Sequence, residues 1–172
     1  FLSIVEHQPH GLFGGYLILN LVGRPLEFHC TTPVKPSRAQ QILYGPTLAP
    51  FLYGEHIGLT LVKKSSLRPL AVLVDQSAAL AVRQYINVPT ALVDAQRAST
   101  GGSATDETAS AGGMLSLAVA LNRLSIPTRF AADREAISAA LTSLDNSFDL
   151  AEPFERIREA IDEAQRAGSK AA

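Results

Sequence analysis

Tryptophan is absent from this 172-residue chain, and cysteine and methionine occur once each. With aromatics at only 6%, the core has to be aliphatic, built from Leu, Val, Ile and Ala. A single cysteine excludes an intramolecular disulfide, so nothing in the composition requires an oxidising compartment. Charge of one sign is not in excess either. A formal net charge of -1 argues against nucleic-acid or membrane-surface binding held by bulk charge. No apolar run reaches the roughly 18 to 20 residues needed to cross a bilayer. The longest, LFGGYLILNLVG, is broken by glycines and an asparagine. The first ten residues, FLSIVEHQPH, lack the basic region and small-residue cleavage site of a signal peptide, so a cytoplasmic protein is expected.

What is present is 47% hydrophobic residues in a length that suits one domain of ordinary size with a small appendage. The stretch QRASTGGSATDETASAGG, residues 96–113, has the composition of a flexible linker or long loop. It divides the chain into an expected α/β sheet domain over 1–95 and a helical segment over 114–172. Residues 1–95 carry a net charge of +2 and residues 96–172 one of -3, so the helical segment is expected to dock on the sheet domain or on a partner.

Within the first part, FLSIVEHQ reads as a short strand and GGYLILNLVGRPLEFHCTTPV as a β-hairpin turning at Val22-Gly23-Arg24-Pro25. Ser37 is placed to start a helix over RAQQILY, which Gly45-Pro46 ends. A second helix is predicted over TLAPFLYGEHIGLTLVKK. PLAVLVD, QSAALAVRQY and VPTALVD then read as strand, helix and strand, which argues for a parallel pair. The fold class expected is α/β: an N-terminal antiparallel hairpin or meander, a strand-helix-strand unit, and C-terminal helices. Those helices are predicted over MLSLAVALNRL, DREAISAALTSL and PFERIREAIDEAQRA. The last is amphipathic, with Pro153 in its first turn and i,i+4 pairs at Glu152–Arg156 and Asp162–Arg166.

Candidate chemistry is sparse. Cys30 adjoins His29, but on a strand successive side chains point to opposite faces. Leu26, Phe28 and Cys30 then share one face, expected to be the buried one, with Glu27, His29 and Thr31 outward. Cys30 reads as a small structural hydrophobe rather than a nucleophile. All four histidines, His7, His10, His29 and His56, fall in the first 56 residues. They are the only metal candidates, without the spacing of a zinc site, and solvated histidines are the simpler reading. No Gly-rich loop sits between strand and helix with a phosphate-binding spacing. No cofactor is predicted.

A sharper alternative concerns acids. A meander followed by helix, strand, helix, strand is also the element order of ribonuclease-H-like nucleases, which hold magnesium between converging carboxylates. Glu6, Glu55 and Asp75 fall at comparable places in the order, although Asp75 in DQSAAL also suits a helix N-cap. Magnesium belongs to this alternative alone.

The segment GRPLEFHCTTPVKPSRAQQILYG resembles a signature of a bacterial protein family to which no activity is attached. In it, G-R-P-x-E-F leads into P-V-x-P-x-R-x-Q and then I-L-Y-G. The resemblance covers residues 14 to about 95 and implies a coherent N-terminal domain. Glu27 and Arg38 belong to this motif, and an Arg-carboxylate link between hairpin and helix is the structural role expected of them. The functional expectation is a non-enzymatic module for protein-protein binding or assembly, with a protein partner or self-association. The metal-dependent nuclease stands as the alternative.

Overall fold

The computed structural model describes residues 1–97, 113–119, 121–145 and 147–170. Strands β1 (Leu2–His7), β2 (Gly11–Leu19) and β3 (Pro25–Cys30) form the antiparallel meander that the sequence predicts. At the β2–β3 turn, Asn20 Oδ1 accepts from the amides of Val22 and Arg24, with Gly23 at φ 77°.

Helix α1 (Arg38–Tyr44) starts with a reciprocal cap. Ser37 Oγ accepts from the Gln40 amide while Gln40 Oε1 accepts from the Ser37 amide. The chain then stays helical through a 3-10 turn (Gly45–Thr47), α2 (Leu48–Pro50), a π-helical stretch (Phe51–Gly58) and α3 (Leu59–Lys64).

Strand β4 (Val72–Val74) lies parallel to β1. A 3-10 helix (Ser77–Gln84) carries the chain to β5 (Thr90–Arg97), parallel to β4. Strands β6 (Met114–Val119) and β7 (Asn122–Pro127) come next, then α4 (Ala132–Ala140) and α5 (Glu152–Lys170). The seven strands make one mixed sheet in the order β3-β2-β1-β4-β5-β7-β6.

Two expectations need correction. MLSLAVALNRL is a β-hairpin arm and its return, not a helix. Leu115, Leu117 and Val119 alternate with Ser116 and Ala118, a period of two that the helix-favouring alanines and leucines obscure. Residues 114–172 are therefore not purely helical, because β7 pairs with β5 and extends the sheet of the first part. Of the expected linker, Gln96 and Arg97 belong to β5 and Gly113 to a turn. Residues 98–112 lie outside the described residues.

The sheet has a core on each face. On one, Leu2, Ile4, Tyr16 and Val74 pack against Leu52, Ile57 and Leu61 of the helical run. On the other, Phe13, Leu17, Leu73 and Leu124 pack against Ile137 of α4 and Phe154, Ile157 and Ile161 of α5. Gly14 and Gly15 of β2 bring both layers close. A Cβ on Gly14 would lie 2.1 Å from Ile57 Cγ2, and one on Gly15 2.2 Å from Ile157 Cγ2. An ion pair ties α4 to the start of β5. Arg83 Nε and Nη2 donate to the buried Asp133 at 2.7 and 3.0 Å, and the Thr90 amide donates to the same carboxylate.

Candidate functional site

Helix α5 runs along β1 and organises two unlike ends of the molecule. At the amino end of β1, Phe154 meets Phe1 edge to face at 5.4 Å. One helical turn on, Arg158 pairs with Asp75, and a turn further Asp162 Oδ1 lies 2.9 Å from His7 Nε2. The i,i+4 spacing along α5 thus puts three successive contacts on the strip facing β1 and the end of β4.

The polar end is a buried network. The fully buried Ser3 donates to Asp75 Oδ2 at 2.8 Å, and Gln76 Nε2 donates to the Ile4 carbonyl at 2.8 Å. Burial pushes the Asp75 carboxyl above its ordinary value of 3.8, while Ser3 and Arg158 pull it down. Asp75 Oδ1, Gln76 Oε1 and His7 Nε2 have no hydrogen-bond partner among the described residues, the His7–Asp162 contact being close but without in-line geometry. Ser3 has no solvent access and donates its proton to a carboxylate, so it is not poised as a nucleophile. These groups hold α5 on the sheet.

The acids of the nuclease alternative are not brought together. Glu6 accepts from Gln8 Nε2 at 3.1 Å, and Glu55 accepts from the Tyr85 hydroxyl at 2.9 Å. Asp75 lies under α5. Glu6 shares the parity of Leu2 and Ile4, whose core is on the opposite face of the sheet. The histidines are also dispersed. His7 meets Asp162, His10 is exposed in the β1–β2 turn, His29 binds Glu27, and His56 is exposed beside Phe51. Among the described residues no group of three or more His, Cys, Asp or Glu is placed to hold a metal ion.

The structural roles expected on β3 are redistributed. Alternation does put Leu26, Phe28 and Cys30 on one face, but that face is the open one. Leu26 and Phe28 are 55% and 39% exposed, and Cys30 is exposed too. Glu27 and His29 turn instead toward the loop after α3. Glu27 accepts from Ser65 Oγ, the Ser66 and Leu67 amides, and His29 Nε2 at 2.6 Å. These bonds bring its pKa from 4.5 down to about 2, the Ser65 hydroxyl contributing most. Arg38 donates to Gln41 Oε1 within its own helix, so the expected Glu27–Arg38 link is not formed. The carboxylate closes the 65–67 loop instead.

The other end of the sheet is apolar and open. At the amino ends of β1 and β4 lies a half-enclosed cavity of about 560 Å³, between the β2–β3 turn, the Leu67–Ala71 connection and the segment around Phe148. Asn20 and Arg68 are the polar residues on its open side, the Tyr16 hydroxyl being buried in the core, and no carboxylate lines it. Val22, Leu26, Leu67 and Leu70 stand at its rim, 83%, 55%, 41% and 65% exposed. Sequence periodicity does not reveal this site, because its walls come from turns and connections rather than from one periodic element. The only local signal is LRPL, an apolar pair around a proline in a connecting loop. No described helix is long and apolar enough to cross a membrane. Comparison of the chain with protein-family models, with curated proteins and with solved structures found no match.

Proposed function

We propose that this chain is a protein-binding module that docks an apolar segment of a partner at the cavity end of its sheet. One observation carries the reading. Among the described residues ten large hydrophobic side chains are exposed, and five of them, Leu21, Val22, Leu26, Leu67 and Leu70, line this one cavity. Scattered apolar side chains on a surface are ordinary, whereas a cluster around a concavity marks an interaction site. Complete burial of such a side chain contributes roughly 1.5–3 kcal/mol, so three or four rim residues are enough for a specific contact. The volume lies within the roughly 300–1,000 Å³ typical of binding clefts. Binding is favoured over catalysis because the cavity wall offers no carboxylate, histidine or thiol to act as acid, base or nucleophile.

A photo-crosslinking residue at position 22 tests this reading, with one at Leu43 as the control. Leu43 is equally exposed, at 81%, but lies on α1 away from the cavity. The expected result is a discrete adduct from position 22 only, lost when Leu70 is replaced by Asp. Equal adducts from both positions, or indifference to Leu70→Asp, would contradict it.

A further inference from the structure

We infer that the segment received by this cleft is apolar and carries an acidic side chain that docks against Arg68; the inference rests on the protein-binding reading above. The argument starts from what the cleft can offer besides apolar surface. Arg68 is exposed and has no ion-pair or hydrogen-bond partner among the described residues. A guanidinium carries donors only. Asn20 has committed its side-chain carbonyl to the amides of Val22 and Arg24, which leaves its Nδ2 hydrogens. The side chains of this wall therefore supply donors and positive charge, and call for an acceptor.

Charge around the cleft also sets a direction. Asp145 and Glu152 line the groove on the far side of Phe148, which shares Leu21 and Val22 with the cavity. Glu152 is already paired with Arg156, and Asp145 accepts from the Ser147 amide and hydroxyl. An acidic residue of the partner is repelled from that side and attracted to the Arg68 side. The cleft thus distinguishes the two orientations of an apolar segment with one charged end.

The absence of tryptophan makes the test direct, because the fluorescence of a tryptophan-bearing peptide then reports binding without interference. Two probes suffice, acetyl-WLLELL-amide and acetyl-WLLKLL-amide, titrated against the full chain. An exposed charge contact contributes up to about 1 kcal/mol, so the glutamate peptide should bind about fivefold more tightly than the lysine peptide, less so at high salt. Arg68→Gln should abolish the preference and Arg68→Glu should reverse it. Equal binding of both peptides to the wild-type chain, or a preference that survives Arg68→Gln, overturns the acidic occupant and leaves docking intact. Failure of both peptides to bind overturns the inference and the docking reading together.

Discussion

The two ends of the sheet differ in what they leave unfinished. At the carboxyl end of β4, charges and hydroxyls from β1, β4 and α5 meet one another, and the helix covers them. At the amino ends of β1 and β4, apolar side chains from three connections surround a cavity that no described residue covers. In open α/β sheets ligands usually bind beyond the carboxyl ends of the parallel strands. Here that position holds a structural network, and the surface available for a partner lies at the opposite end. On the proposed reading, a cluster of Ser, His, Asp and Arg is a weaker pointer to function in this chain than a ring of exposed apolar side chains.

The contrast predicts a graded set of responses. Phe154 anchors α5 on the sheet, since it is 1% exposed and meets Phe1 edge to face at the amino end of β1. Phe154→Ala should cost about 3–5 kcal/mol in urea unfolding. A cost below about 1 kcal/mol would mean that α5 is not needed to hold the sheet's second layer.

The pH dependence of stability should separate two carboxylates acting in opposite senses, Asp75 at the polar end and Glu27 at the Ser65–Leu67 loop beside the cavity. Asp75 has a folded pKa above its ordinary 3.8, so the folded chain takes up that proton more readily than the unfolded one. Its stabilising contribution is complete below 3.8 and is lost as pH rises through the raised folded value. Asp75→Asn should remove this component, and urea midpoints measured across that window should fall less steeply with rising pH than in the wild type. Glu27 behaves the other way. Its contribution is present above 4.5 and is lost as pH falls toward about 2. Glu27→Gln should flatten the acid limb between those values, and an unchanged limb would place the Ser65–Leu67 loop closure elsewhere.

The open end should respond least in stability. Val22 and Leu70 are mostly exposed, so the double replacement Val22→Asp with Leu70→Asp should shift the unfolding free energy by no more than about 0.5 kcal/mol. The same variant should lose partner binding. A large loss of stability would show that these side chains belong to the core rather than to a docking surface.

Much of the fold was legible because it depends on local chemistry. The meander follows from two β-rich runs around Gly23, the start of α1 from Ser37 and Gln40, and the parallel pair from two short apolar runs flanking a helical one. Pro153 and the Glu152–Arg156 pair sit as expected in the first turns of α5. What was not legible depends on which face is covered. Alternation correctly groups Leu26, Phe28 and Cys30, but it cannot say that α5 stops short of β3 and leaves that face open. The cavity brings Val22, Leu70 and Phe148 together from three distant connections, and no sequence period links them. The β6–β7 hairpin is hidden in the sequence because leucine and alanine favour a helix, and pairing with β5 overrides that preference.

The central claim is that the apolar end is the binding face, and methyl NMR of the Leu, Ile and Val side chains tests it most directly. Titration with acetyl-WLLELL-amide should move the methyl resonances of Leu21, Val22, Leu26, Leu67 and Leu70 and leave Ile42 and Leu43 of α1 in place. Shifts at Ile42 and Leu43 with a silent cavity would contradict the account.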